Sequence, residues 1–358
     1  MSQTPRTTED PTEATSEPAS SSASPPRLSR DGSRESEPRV SVCLLAFNHE
    51  EFISQAIESV LAQVTDFEVE LIIGEDDSTD RTRSIVQRFA TEHPDRIRLL
   101  LNTRDDVIEI DGVVTGRRNL LNTLAHARGR YVALLDGDDY WSDPHKLQEQ
   151  VRFLESGRDF SGVFHDTDVV DHTGRNTDPG RWFRDYSARD TIEIDDMVSL
   201  VTPFHTSSFL FRRACLELPP EFNDYLTGDI PIYLVVASKG PIGHLKKPMS
   251  VYRRHATGVS SAAHRRRHAY FANRLFMFRS LQRHLAPLAA AGFEATIRDC
   301  ERRIVETLRR QPAAVFARSC RDVAKRVGAM TFVRLLVRTV PRRCLDVVLP
   351  GRRSRLRT

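Results

Sequence analysis

The chain has 358 residues, 39% of them hydrophobic and 28% charged, with 52 Lys and Arg against 49 Asp and Glu. Such a chain can hold one large domain with an extra layer or two modest domains, and its composition is that of a globular, soluble protein. No apolar stretch approaches the roughly 20 residues that span a bilayer, and Met1 to Pro38 lacks the apolar core of a signal peptide. Five cysteines (Cys43, Cys215, Cys300, Cys320 and Cys344) are scattered with no CxxC or zinc spacing, which favours reduced thiols and a cytoplasmic location. The net charge of +3 hides an asymmetry. From Ser261 onward there are 23 Lys and Arg against 6 Asp and Glu, so the first 260 residues carry the acidic balance.

In chain order, residues 1–38 are rich in Ser, Thr, Pro and Glu and are expected to be a disordered tail, having too little apolar surface to offset chain entropy. VSVCLLAF (Val40 to Phe47) reads as a strand buried on both faces. Glu50 to Gln63 has helical spacing, with Phe52, Ile53, Ala56, Ile57, Val60 and Leu61 inward. A second strand begins at Val69 and runs into the acidic loop EDDSTD, where Ser78 or Asp80 would cap a helix through Ala90. Ile97 to Leu101 is a third strand, Arg117 to Arg128 a helix ended by Gly129, and Tyr131 to Leu135 a fourth strand. This alternation predicts a mostly parallel, doubly wound α/β sheet. Ser161 to Val170 and Ser207 to Phe211 look like further strands, Phe222 to Ser238 largely helical, and Ile242 to Tyr252 extended. His264 to Met330 reads as Arg-rich helix broken at Pro287 and Pro312.

Three strand ends carry candidate chemistry. The first ends in Leu45, Ala46, Phe47 and Asn48, offering an aromatic ring to a planar base. The second ends in Glu75, Asp76 and Asp77, carboxylates able to accept a hydrogen bond from a uracil- or thymine-type N–H. The fourth ends in Asp136, Asp138 and Asp139, three acids within four residues. They repel one another, and oxygen ligands of this kind suit Mg²⁺ or Mn²⁺ bridging to a diphosphate. An acidic turn capping the next segment is the plainer alternative. In a doubly wound sheet all three ends share one edge, so a single cleft could hold base, sugar and diphosphate. Neither GxGxxG nor GxxxxGK[ST] occurs, which argues against a dinucleotide cofactor or a P-loop ATPase.

The successive segments VSVCLLAFNHEEFISQAIESVLAQ, ELIIGEDDSTDRT and RRNLLNTLAHARGRYVALLDGDDYW resemble, in order and spacing, the signatures of family 2 glycosyltransferases with the GT-A fold. The resemblance covers about Arg39 to Ser260. It implies three regions: the tail 1–38, a GT-A-like domain 39–260 with a doubly wound, mostly parallel sheet, and a basic, mainly helical extension 261–358. It also implies an inverting, metal-dependent transfer (Mg²⁺ or Mn²⁺) from a UDP- or dTDP-linked sugar to a glycan or lipid-linked acceptor.

Carried over by position, Asp76 would contact the base with Leu45 and Phe47 facing it, Arg118 would lie over the nucleotide, and Asp138 would contact ribose or donor sugar. Asp139 is the first choice for the metal ligand, with Asp136 alongside. The family's general base belongs to an acid pair opening a helix in the second half, and TGDIPIYLVVASKG (Thr227 to Gly240) makes Asp229 the candidate, with Gly228 replacing the first acid. In VYRRHATGVSS (Val251 to Ser261), Arg253 and Arg254 would offset the charge of the leaving diphosphate and His255 would be a further metal ligand or phosphate donor. Trp141 and His205 are acceptor-pocket candidates.

The Arg-rich C-terminal region, including Thr331 to Leu349, suits an anionic membrane surface at the inner face of the membrane, a lipid diphosphate or another protein, and a helical cap on the catalytic domain with a solvated basic face is the plainer alternative. Without interleaved aromatics or a recognisable module it does not suit nucleic acid. A sugar nucleotidyltransferase would need a Gly-rich N-terminal loop with a downstream Lys, absent from VCLLAFNHEE. A non-catalytic nucleotide-sugar or glycan-binding relative is the other alternative, favoured by Gly228.

Overall fold

Alternation along three short apolar segments divides the interior into two cores. In β1 (Val40–Ala46), Val40, Val42, Leu44 and Ala46 join one core and Cys43 the other. In β2 (Val69–Glu75), Leu71 and Ile73 oppose Ile72, and in β6 (Tyr131–Asp136), Tyr131, Ala133 and Leu135 oppose Val132 and Leu134. Side chains two apart share a face, so unbroken apolar runs supply both layers at once. The computed structural model describes residues 37–157, 159–171, 173–178, 189–199, 204–255, 267–285 and 288–339. The tail expected over residues 1–38 therefore lies almost wholly outside the described residues.

β1 is central and parallel to both β2 and β6, and β3 (Ile97–Leu101) is parallel to β2. Beyond β6 the sheet continues with β11 (Leu210–Arg212), antiparallel to β6 and to β8 (Gly162–Asp171). β12 (Ile242–Arg254) runs parallel to β8, and β10 (Thr191–Ile192) closes that edge antiparallel. The order is β10-β12-β8-β11-β6-β1-β2-β3, with β7 (Tyr140–Trp141) on β12 and β9 (Asn176–Asp178) on β8. The sheet is parallel in its first half, as the sequence predicts, but β11 reverses direction in the second. A small hairpin, β4 (Ile108–Ile110) and β5 (Val113–Thr115), lies outside the main sheet and has no counterpart in the sequence reading. Its turn places Asp111 at φ 52° and Gly112 at φ 77°.

On one face lie α1 (Ile53–Leu61), α2 (Thr82–Glu92) and α4 (Lys146–Glu155), the last not anticipated from sequence. α1 is shorter than the spacing predicts, yet it buries Ile53, Ala56, Ile57 and Val60. The EDDSTD loop acts as a strap more than as a helix cap. Ser78 Oγ accepts the Asn48 N–H at 3.0 Å, and Asp80 accepts those of Glu50 (3.0 Å) and Thr82 (2.9 Å). These bonds hold the loops after β1 and β2 together at one sheet edge.

The other face carries α3 (Arg117–His126), α5 (Ile194–Ser199) and α6 (Asp229–Ala237). The helix expected over Phe222 to Ser238 is instead a 3₁₀ turn at Pro220–Asp224, a short loop, then α6, whose residues 230–237 are all buried. The basic C-terminal region forms α7 (Arg267–Leu285), α8 (Ala290–Arg309), α9 (Ala313–Val327) and α10 (Ala329–Thr339). Leu275, Met277, Phe278 and Leu281 of α7 and Phe293, Ile304 and Leu308 of α8 share one core with Phe222, Tyr225, Ile230 and Val236. The helices thus complete the second layer, and the described residues form one compact unit. Among the described residues, Cys43, Cys215, Cys300 and Cys320 are free thiols, and no helix is long and apolar enough to cross a membrane.

Lys146 of α4 is fully buried, its Nζ donating to Gln150 Oε1 at 2.9 Å and lying 3.9 Å from the centre of the Trp141 ring. Burial drives its ammonium well below the ordinary value of 10.5. The unfolded chain therefore binds a proton that the folded chain resists, and stability falls as pH drops below the unfolded value. Lys146→Met is expected to flatten the rise of Tm between pH 6 and 9 in scanning calorimetry; identical slopes in both proteins would refute this.

Candidate active site

The parallel register sets Ala46 opposite Glu75 and Leu45 opposite Asp136, so the ends of β1, β2 and β6 converge. After β6 the chain turns sharply, Asp139 N–H donating to Asp136 O (3.0 Å) and Gly137 N–H to Leu45 O (2.8 Å). A Cβ at Gly137 would lie 2.7 Å from His49 Nδ1 and 2.9 Å from Ile53 Cδ1, so only glycine fits between the carboxylates here.

The three aspartates face different surroundings. Asp138 Oδ2 lies 2.8 Å from His255 Nε2 and 3.8 Å from His49 Nε2. Burial pushes the Asp138 carboxyl up, but the His255 hydrogen bond and the charges of His49 and His255 outweigh it and hold it below the ordinary value. His255 is raised in turn, chiefly by its bond to Asp138. Asp139 is turned inward, 1% exposed, with Oδ1 accepting the Arg253 backbone N–H at 3.0 Å. Its Oδ2 makes no hydrogen bond and lies 3.6 Å from His205 Nδ1. Burial and the neighbouring aspartates raise Asp139 well above the usual carboxylate range, and burial with the charges of Asp138 and Asp229 raises Asp136 to about 7.

Of the three acids in this turn, it is Asp138 that stands beside His255. Among the described residues no group of three or more His, Cys, Asp or Glu side chains is placed to hold a metal ion, and Asp138 and His255 bond to each other. Their chemistry still fits a divalent cation: crowded carboxylates, an imidazole, and a buried Asp139 oxygen with no donor.

Several expected roles shift with the geometry. Arg253 braces the aspartate turn: its Nη1 donates to Asp138 O at 2.8 Å, its Nη2 to Gln55 Oε1, and its guanidinium covers Phe52 and Tyr140. Arg254 is exposed at the end of β12, and residues 256–266 lie outside the described residues. Trp141 is 4% exposed, donates Nε1–H to Ser207 O at 2.9 Å and is covered by Lys146, so the acceptor role read for it is corrected to a core position. His205, held by Ser207 at 2.9 Å, backs Asp139, and burial lowers it to about 4.

A second group lies one strand over. Phe47 is 36% exposed, and the Arg104 guanidinium stacks 4.0 Å above its ring. Asp76 is 6% exposed, tied to β1 through its N–H and Ala46 O at 3.0 Å. Burial raises its carboxyl, with Arg104 opposing. Leu45 is half-buried beside them. Glu75 is spent on Arg83 (2.5 Å) and on the Ser78 N–H (2.7 Å), which leaves Asp76 as the carboxylate of this group. Arg104 was missed in the sequence; its place just after β3, at the same sheet edge, is the signal that could have found it.

The third group surrounds Asp229, at the start of α6 and half-buried, its Oδ1 accepting the Ile230 N–H at 2.8 Å. Its charge reaches Asp136 and Arg117. Arg118 is exposed on α3, whereas the adjacent Arg117 is 3% exposed, stacks on Phe222 at 4.2 Å and donates Nη2–H to Tyr225 O at 2.6 Å. Burial lowers Arg117 to about 10, with Asp229 opposing. A Cβ at Gly228 would lie 2.5 Å from Arg117 Nη1. The guanidinium of Arg117 occupies the space that a side chain at residue 228 would need. Gly228→Ala is expected to cost about 1–3 kcal/mol of stability by overpacking, seen as a lower Tm. A Tm equal to that of the unaltered protein would show that Arg117 yields freely.

Residues 41–217 match the Glycosyl transferase family 2 domain. An uncharacterized protein of Mycobacterium tuberculosis is 33% identical over 242 residues, 66% of this chain, and the chain spans 64% of that relative's length. The Escherichia coli protein WfgD, a UDP-Glc:alpha-D-GlcNAc-diphosphoundecaprenol beta-1,3-glucosyltransferase, is 38% identical over 115 residues, 32% of this chain and 40% of WfgD. The crystal structure of S. aureus TarS 1–349 in complex with UDP-GlcNAc superposes with a TM-score of 0.59 at 16% identity, covering 87% of this chain and 84% of that one. With the strand order, the aspartate turn and the matched domain in agreement, this chain belongs to glycosyltransferase family 2 and has the GT-A fold.

Proposed function

We propose that the protein is an inverting glycosyltransferase that moves a sugar from a UDP- or dTDP-sugar to a glycan or lipid-linked acceptor. One observation carries this reading: Phe47, Asp76 and Arg104 stand one strand over from the aspartate turn, and the charge of Asp229 reaches Asp136 in that turn. The base would lie on the Phe47 ring with its N–H donated to Asp76, a carboxylate seated to accept it. The sugar and diphosphate would then lie along Asp138, His255 and Arg254.

Asp136, Asp138, Asp139 and His255 would hold Mg²⁺ or Mn²⁺, which when bound offsets the charge of the diphosphate leaving group. Opposite it, Asp229 would take the proton from the acceptor hydroxyl as that oxygen attacks the anomeric carbon. A positioned base of this kind contributes about 10²- to 10⁴-fold. Arg117 lends a buried positive charge that Asp229 faces.

A lipid-linked acceptor is supported by the relative WfgD, named for a diphosphoundecaprenol acceptor, and by the basic outer helices. Arg318, Arg321 and Lys325 of α9 and Arg334 of α10 are exposed, as are Val315 (42%) and Met330 (72%), a combination suited to an anionic membrane surface at the cytoplasmic face. The remainder of the tail, from residue 340, lies outside the described residues.

Nucleotide release from a panel of UDP- and dTDP-sugars, with and without Mn²⁺, tests the assignment. Asp229→Asn is expected to lower kcat about 10²-fold or more with little change in donor KM. Asp138→Ala is expected to abolish the response to Mn²⁺. Transfer that persists in Asp229→Asn would remove the base, and an intact Mn²⁺ response in Asp138→Ala would remove the metal site.

A further inference from the structure

The loop entering α6 is gripped by side chains distant in sequence. Asn273, on α7 and 1% exposed, accepts the Leu226 N–H on Oδ1 at 2.7 Å and donates Nδ2–H to Asp224 O at 2.8 Å. The same Nδ2 donates to Asp111 Oδ2, at the tip of the β4–β5 hairpin, at 3.2 Å. Arg326 on α9 donates to Asp111 Oδ1 from Nε (3.0 Å) and Nη2 (2.7 Å), and to Asp224 O from Nη1 (3.4 Å). From the other side Arg117 holds Tyr225 O. Three consecutive residues, 224 to 226, therefore have main-chain groups held by α3, α7 and α9, and Asp229 follows three residues later.

A loop with so many unpaired main-chain groups would otherwise be held by water, at variable geometry. An amide that satisfies one N–H and one C=O of the same loop sets its path much as a strand neighbour would. Taken with the proposed role of Asp229, on which the idea rests, we infer that Asn273 and Arg326, with Asp111 between them, are positioning residues for the catalytic base. The C-terminal helices thereby act in catalysis without touching substrate. The hairpin enters the same device, because Asp111 is the anion that both Asn273 and Arg326 share.

Misplacing a base by about an ångström costs up to about 10²-fold in rate. Asn273→Ala is therefore expected to lower kcat about 10- to 100-fold with donor KM changed less than about twofold. Arg326→Lys, which keeps the charge but loses the fork, is the milder second variant, expected to lose kcat in the same direction. Hydrogen exchange over residues 222–229 should quicken in both. Arg279→Ala serves as the comparison: it breaks an ion pair of the same helix with Glu301 (2.7 Å), away from the loop, and is expected to lower Tm while leaving kcat unchanged.

Wild-type kcat in Asn273→Ala and Arg326→Lys, or an equal loss in Arg279→Ala, would overturn the inference. Asp229→Asn in the same series separates the two ideas. If it is inactive while the Asn273 variant is normal, the base stands and the positioning fails. If it is active, the base assignment itself fails.

Discussion

Three carboxylates at the end of one buried strand cannot share a turn unless positive charge or proton donors reach them, and much of the molecule answers that requirement. Asp138 is met by His255 and His49, and Asp139 by a main-chain N–H of Arg253 with His205 behind it. Burial and the neighbouring carboxylates push Asp136 and Asp139 towards neutrality. The donors come from the loop after β1, from the segment before β11 and from the end of β12. Elements far apart in sequence must therefore meet at one sheet edge for the cluster to exist.

The cluster also explains features that look local. Gly137 is required because His49 and Ile53 crowd the turn. Arg253 is spent on bracing the turn through Asp138 O and Gln55, so its charge is built into the frame. Gly228 follows the same logic on the opposite wall, where the guanidinium of Arg117 fills the space that an acid would need.

The C-terminal helices change the meaning of the charge asymmetry. Their apolar faces complete the core behind α6, and Arg326 and Asn273 reach the loop that carries Asp229. Other arginines, such as Arg318 and Arg334, remain on the exposed faces. One region thus serves both as packing layer and as basic surface, which a count of charges alone does not separate.

The alternation of strand with helix and the order of acidic strand ends were legible in the sequence, because short aliphatic runs between segments of helical spacing point to a parallel α/β sheet. From that came the parallel half of the sheet and the aspartate turn, and Asp76 with Phe47. What only the tertiary structure decided was which way each side chain faces. Asp138 rather than Asp139 beside His255, Trp141 in the core, Arg117 rather than Arg118 turned inward, and Arg104 over Phe47 all depend on contacts between segments tens of residues apart. Adjacent residues differ little in composition or spacing, and a one-residue change of direction moves a charge from solvent to the interior. The sequence alone determined the edge at which the chemistry sits; packing determined which of the neighbouring residues face it.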